Sequence, residues 1–80
     1  MPLYRTFYVL KKIPNQGVFL RAKTFDICEV ESFEYVDDWH TRVIMKSGDK
    51  FTVKCPTEDF GNIVLSGIDG YGKLFTFNLN

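Results

Sequence analysis

The arrangement in this 80-residue sequence best able to move a proton is His40 with the two acids before it, Asp37 and Asp38. A histidine oriented by a carboxylate can act as a general base at neutral pH. A base needs a partner group, and no recognisable motif places a serine or cysteine nucleophile beside this histidine. The sequence therefore favours a solvated turn over a catalytic centre, and we expect a protein that is not an enzyme.

Acidic residues accumulate in the same part of the chain and are candidates for oxygen ligands to a hard cation. Their spacing does not follow the EF-hand loop, which needs ligands at fixed positions and a central glycine. Two cysteines and one histidine are also too few for a closed zinc site within one chain. We expect no metal and no cofactor, and we interpret the acids as a solvated strand face. These acids are Glu29, Glu31, Glu34, Asp37 and Asp38.

Trp39, which follows two of these acids, is the best candidate for contact with another protein. Tryptophan is enriched among the residues that dominate binding energy at interfaces. An exposed Trp39 would be a binding anchor, whereas a Trp39 folded onto the sheet would only be core, and the sequence leaves both interpretations open. The predicted partner-binding residues are Trp39, Asp37, Asp38, Glu34 and Tyr8.

Basic residues interleave with aromatic ones near the N-terminus and recur along the middle of the chain. Such a pattern can neutralise phosphates and stack bases. The net charge of zero and the acidic segment oppose this interpretation, because acids near the basic residues would repel a phosphate backbone. Nucleic-acid binding is therefore the alternative function. Its residues would be Arg42, Lys46, Lys50, Lys54, Arg5, Lys11 and Lys12.

The charges are unevenly distributed along the chain. Residues 1–23 carry five bases and no acid, whereas residues 24–38 carry six acids and no base. Two interpretations stay open at this point. Oppositely charged strands can pair side by side across a sheet, or the fold can present an acidic edge to a partner.

A β-hairpin between Thr41 and Cys55 is the clearest element that could position these residues, because Gly48 and Asp49 supply turn chemistry. A two-residue loop would mix charged and apolar side chains on both faces of this hairpin. A three-residue loop separates them, so we predict an odd-length, bulged loop. The apolar face would then hold Val43, Met45, Phe51, Val53 and Cys55, and the other face Arg42, Lys46, Lys50 and Lys54, with Ile44 as the misfit.

Three further strand segments are predicted before this hairpin. Leu3–Lys12 contains a continuous apolar run, which suits a strand buried on both faces or one at a dimer interface. A turn at 13–17 leads to a short second strand at Val18–Lys23. The apolar positions change parity within Phe25–Val36, which indicates a bulged strand or two short strands meeting near Glu29.

The last third of the sequence is predicted less uniformly. Asp37–His40 should be a tight connection, and Pro56 with the acids after it favours a short helix near 57–65. The rival is a single turn at 57–61 and a strand at 62–66. Residues 66–72 should be a loop, followed by a closing strand at Leu74–Leu79.

These elements predict a single domain over residues 1–80, mainly β (β or α+β). Its architecture would be a small antiparallel curled sheet or barrel of five to six strands, with at most one short helix. No secretory signal or membrane-length apolar run is evident, so we expect a cytoplasmic protein with Cys28 and Cys55 reduced.

The segment Val30–Val64 resembles the pattern of LytTR-type DNA-binding domains and of small flagellar FlbD-like proteins. In both, a strand leads to a Thr/Val-rich hairpin with an Asp/Gly/Lys turn and then to a short helix with an acidic start. The likeness covers under half of the chain and rests on general hairpin chemistry, so it implies no functional residue. From the residues themselves we predict a non-catalytic protein-interaction module, a small regulator or inhibitor that binds a protein partner or its own copies.

Overall fold

The computed structural model describes residues 2–68 as one sheet of five antiparallel strands with a helix on one face. The sheet is curled and does not close, so the mainly-β prediction is confirmed and the open sheet replaces the barrel. The strand order is β2-β1-β5-β4-β3. The elements are β1 (Tyr4–Ile13), β2 (Gly17–Asp26), a 3-10 turn (Ile27–Glu29), β3 (Val30–Asp37), β4 (His40–Met45), β5 (Lys50–Val53) and α1 (Thr57–Ile68).

Helix α1 confirms the helical interpretation of residues 57–65 and rejects a strand there. The carbonyl of Pro56 accepts the backbone N–H of Phe60 at 2.9 Å, so the helix begins directly after the proline. Glu58 and Asp59 lie in its first turn, where carboxylates complement the helix dipole. The helix continues to Ile68, so the loop predicted from residue 66 is wrong at its first three residues. The predicted strand at 74–79 lies outside the described residues.

The core lies between α1 and the sheet. Phe60 is completely buried, and its ring centroid lies 5.3 Å from those of Phe7 on β1 and Phe33 on β3. Since Phe60 and Val64 are four residues apart, they lie on one face of the helix and are buried together. The buried apolar residues are Val9, Phe25, Ile27, Val30, Val43, Met45, Val53, Phe60 and Val64.

The central hairpin has the register that the sequence predicts. Val43 lies opposite Phe51, and the N–H of Met45 donates to the carbonyl of Asp49 at 2.8 Å, which closes a three-residue loop. Gly48 adopts φ +100°, a conformation that favours glycine. The predicted apolar face is therefore confirmed, with Val43, Met45 and Val53 buried and Phe51 and Cys55 half-buried against the core.

Thr41 is a polar side chain inside this core, with no exposed surface. Its hydroxyl donates to the carbonyl of Cys55 at 2.7 Å and lies 3.0 Å from the hydroxyl of Thr57. These contacts satisfy the buried oxygen. They also tie the start of β4 to the connection between β5 and α1.

Strands β1 and β2 form a long hairpin, which we call the arm (residues 4–26). Their pairing runs from Tyr4 opposite Asp26 to Ile13 opposite Gly17, so β2 is longer than predicted. The arm pairs with the rest of the sheet at one position, Val9 opposite Val53. Of the two alternatives predicted for β1, burial on both faces is wrong in the described structure, because α1 packs on one face only and Tyr8 on the other is 60% exposed. The other alternative, a dimer interface, stays a prediction.

The 3-10 turn at Ile27–Glu29 explains the change of parity predicted near Glu29, because it separates β2 from β3. A carboxylate oxygen of Asp26 accepts the backbone N–H groups of Leu3 and Cys28, each at 3.0 Å. The bond from Leu3 is the main reason that the pKa of Asp26 lies below its ordinary value. Both cysteines, Cys28 and Cys55, are half-buried thiols, as predicted.

Candidate interaction surfaces

The tight connection between β3 and β4, here called the Trp39 turn (residues 37–40), presents its tryptophan to solvent. Trp39 is 67% exposed, the largest exposure among the bulky apolar side chains in the described residues. The carboxylate of Asp37 accepts the backbone N–H of Trp39 at 2.8 Å and lies 2.8 Å from Nδ1 of His40. The side chain of Asp37 therefore holds in place the backbone of Trp39, the residue that carries the exposed indole.

A second hydrogen bond braces the other side of this turn. The hydroxyl of Tyr35 donates to the carboxylate of Asp38 at 2.8 Å, and this bond is the main cause of a raised tyrosine pKa. The pKa of Asp37 is lowered, chiefly by the N–H of Trp39 and next by the ring of His40. The contact between His40 and Asp37 thus helps to hold the turn.

Asp37 should make the stability of the protein depend on pH at the acid end. Because its pKa in the folded state lies below the ordinary value of 3.8, its contribution is complete above that value and is lost as the pH falls through the folded pKa. We expect the stability advantage of the wild type over Asp37→Asn to shrink between pH 5 and pH 2, as measured by urea unfolding. An NMR titration midpoint for the Asp37 carboxyl at or above 3.8 would contradict this assignment.

Strand β3 forms one edge of the sheet, so one side of its backbone has no neighbouring strand within residues 2–68. Tyr35 and Val36 are 64% and 44% exposed on this edge. Glu34, also exposed, lies opposite Arg42 of β4. The edge therefore carries acidic and apolar groups together, next to the Trp39 turn. The predicted basic stripe meets the acidic segment at two of its residues: Arg42 lies opposite Glu34, and the backbone N–H of Lys46 donates to the carbonyl of Glu29 at 2.8 Å.

The predicted partner-binding residues fall into one group and one outlier. Asp37, Asp38 and Trp39 share the turn, and Glu34 lies on the adjoining strand. Tyr8 is exposed but lies on β1, which β5 and β4 separate from β3. Tyr35 and Val36 were not predicted as site residues. The parity of β3 indicates neither, because a bulge between Tyr35 and Asp37 interrupts the alternation.

The predicted nucleic-acid residues do not form one surface. On β1, Arg5 and Lys11 share the face of buried Val9, whereas Lys12 points to the opposite face. Arg42 alternates with buried residues of β4, so it belongs to the face away from the helix. The remaining predicted residues, Lys46, Lys50 and Lys54, are exposed in or next to the central hairpin.

The arm and the rest of the described chain carry opposite charges. The arm contains five bases and one acid, Asp26 at its end, which gives +4. Residues 27–68 contain eight acids and four bases, which gives −4. The net charge of zero therefore combines a basic arm with an acidic body, and each can attract a partner of the opposite charge.

A gap opens between the arm and β5 on one side of the Val9–Val53 contact, because the two strands diverge there. This strand gap has a volume of about 520 Å³. Its basic lining residues are Lys11, Lys23 and Lys50, and Asp49 is the acid among its lining residues in the described chain. A smaller adjoining groove adds Arg21 and shares Lys11 and Lys23. Its lining residues are Val9, Lys11, Arg21, Ala22 and Lys23.

Arg21 and Lys23 were not predicted as binding residues. The signal that identifies them is the register of the arm, which places Arg21 opposite Val9 and Lys23 opposite Phe7. The ammonium group of Lys23 also lies 5.0 Å from the centroid of the Phe51 ring. This contact bridges the arm and β5 where they diverge.

Neither a metal-binding cluster nor a membrane-spanning helix is found within the described residues. Within residues 2–68, no three histidine, cysteine, aspartate or glutamate side chains are placed to hold a metal ion. No helix in that range is long and apolar enough to cross a membrane. Comparisons with protein families, with curated proteins and with solved structures gave no match.

Proposed function

We propose that this chain is a non-catalytic protein-interaction module that binds a protein partner through the edge of β3 and the Trp39 turn. The observation that carries the proposal is an indole 67% exposed on a turn whose backbone is fixed by Asp37. A bulky apolar side chain held in place loses little entropy on binding, and tryptophan is enriched among interface hot spots. Such a module would act as a small regulator or inhibitor by covering a surface of its partner.

The chemistry of the surface favours one kind of partner. An unpaired strand edge can add a strand from another protein through backbone hydrogen bonds. The exposed side chains along it combine carboxylates at Glu34 and Asp38 with the aromatic rings of Tyr35 and Trp39. Arginine and lysine interact favourably with both carboxylates and aromatic faces. The expected partner therefore presents an extended segment with basic side chains.

Replacement of Trp39 with alanine should abolish most of the binding without unfolding the protein. The hydrogen bond that fixes the turn uses the backbone N–H of Trp39, so it survives in the Trp39→Ala variant. Loss of an anchoring tryptophan commonly costs 2 kcal/mol or more, which is about a 30-fold loss of affinity. The measurement is quantitative affinity capture from cells of the source organism, followed by titration of the purified partner.

The matched control is Tyr4→Ala, which removes a ring 65% exposed on the arm, away from β3. This variant should capture the partner as the wild type does. If no protein is captured saturably, or if both variants capture the same protein equally well, the proposal is wrong.

A second function, nucleic-acid binding, is favoured by one observation: the arm carries five bases and no acid before Asp26. Phosphate contacts from lysine and arginine supply most of the non-specific affinity of proteins for nucleic acid. The basic residues first predicted for this function lie on two faces, so their combined charge does not define a binding surface. A nucleic-acid site on this protein would need cations that converge.

A further inference from the structure

We infer that the strand gap is a binding site for single-stranded nucleic acid. The inference does not depend on the protein partner proposed for the Trp39 turn, and it gives the second candidate function a specific site. The gap meets that requirement more closely than the predicted basic residues do: Lys11, Arg21 and Lys23 share one face of the arm, and Lys50 of β5 lines the same gap.

The charge of the gap favours a polyanion. Lys11 and Lys23 approach from the arm and Lys50 from the end of β5, and Arg21 extends the row into the adjoining groove. Lys11, Arg21 and Lys23 share the face of the arm that carries Val9, whereas Lys50 alternates with core-facing Phe51 and reaches the gap from the other face. Asp49 is the acid among the lining residues. Since all four side chains are exposed, they can contact successive phosphates without a cost of uncovering them.

Aromatic rings beside the cations favour nucleic acid over other polyanions. Phe19 is 44% exposed and lies directly opposite Lys11 on the face of the arm that also carries Arg21. Phe51, half-buried, forms part of the gap itself. Proteins that bind single strands combine a positive groove with aromatic side chains on which bases stack. A polyglutamate chain could neutralise the same cations but could not use these rings.

The position of the gap favours a single strand over a duplex. The gap lies between two neighbouring strands of one sheet and has a volume of about 520 Å³. A gap of this volume cannot enclose a duplex, which would instead meet the outer surface of the arm. Lys12 would contribute as much as Lys11 to the binding of a duplex on that surface. Of these two lysines, only Lys11 lines the gap.

The test compares two triple variants of equal charge in binding to a fluorescein-labelled oligothymidylate of about 20 nucleotides. The gap variant combines Lys11→Gln, Arg21→Gln and Lys50→Gln; the control combines Lys12→Gln, Arg42→Gln and Lys46→Gln. Lys23 is kept in both because it contacts Phe51. Fluorescence polarisation is measured as a function of salt concentration, and thermal unfolding establishes that both variants fold.

We expect the gap variant to lose at least tenfold in affinity at low salt and about two units of slope in log K against log salt, since each phosphate contact contributes about 0.7. The control variant should lose less than threefold in affinity. Phe19→Ala, which changes no charge, should lose about tenfold through lost stacking. Wild-type lysines 11, 23 and 50 should be protected from acetylation by the oligonucleotide, a readout that does not depend on a variant folding.

Three results would overturn the inference. The first is an absence of oligothymidylate binding by the wild type at low salt. The second is an equal loss of affinity in the two triple variants. Binding of a duplex as tight as that of the single strand would count in the same way, because either result would mean that charge on the outer surface is sufficient for binding. The third is competition by polyglutamate as strong as that by unlabelled oligothymidylate, which would remove the role assigned to Phe19.

Discussion

Replacement of Phe60 with alanine should unfold the protein at room temperature. Phe60 has no exposed surface and contacts the rings of Phe7 and Phe33, so it joins α1 to β1 and to β3. Truncation of a buried phenylalanine typically costs about 3–5 kcal/mol, which combines lost burial with the cavity that remains. A domain of this size rarely has more than about 3–5 kcal/mol of stability in total.

Far-UV circular dichroism of Phe60→Ala should therefore show an unfolded chain, whereas Phe60→Leu should fold with a lower urea midpoint. Phe19→Ala is the matched control, because it makes the same truncation at a ring 44% exposed on the arm. Its urea midpoint should stay close to that of the wild type. A stably folded Phe60→Ala protein would show that α1 is not needed to close the core.

Replacement of Thr41 with valine should have the second largest effect, about 1–3 kcal/mol of lost stability. Valine matches threonine in shape, so the packing is kept and only the hydroxyl is removed. The carbonyl of Cys55 then loses its donor, and the hydroxyl of Thr57 loses its neighbour, beside a side-chain position that has no exposed surface. The cost is that of a buried polar group without its hydrogen bond.

Thr41→Ser separates the two roles of this side chain. Serine keeps the hydroxyl and loses one buried methyl group, so its cost should be nearer 1 kcal/mol. Chemical unfolding of the wild type and both variants gives the comparison. If the Thr41→Val protein is as stable as the wild type and the Thr41→Ser protein is less stable, the methyl group rather than the hydrogen bond stabilises the junction of β4, β5 and α1.

The hairpin between Thr41 and Cys55 could be predicted because its register depends on residues within the hairpin itself. An odd-length loop places Val43 and Phe51 on one face, and Gly48 permits the backbone that the three-residue loop needs. The start of α1 could also be predicted from local sequence, since Pro56 and the acids after it define a helix N-terminus. The end of α1 could not be predicted in this way. Ser66, a polar residue expected in a loop, stays helical because its hydroxyl donates to the carbonyl of Asn62.

The two candidate interaction surfaces depend on contacts between side chains and between strands that local sequence patterns do not show. Whether Trp39 is exposed follows from the turn that Asp37 fixes, and the sequence left that question open. The strand gap depends on where β1 leaves β5, and these strands are more than thirty residues apart at Val9 and Val53. A list of basic residues could not separate Lys11 from Lys12, because the two differ only in the face that the sheet gives them.

The separation of charge between arm and body also gives the molecule a large electric dipole moment at zero net charge. Repulsion between copies, which keeps strongly charged proteins apart in solution, is weak for a chain whose charges cancel. The basic arm of one copy can then approach the acidic body of another, and this attraction extends over about 10 Å at an ionic strength of 0.1 M. Dilute buffers should therefore favour association in crowded solutions of this protein, and added salt should oppose it.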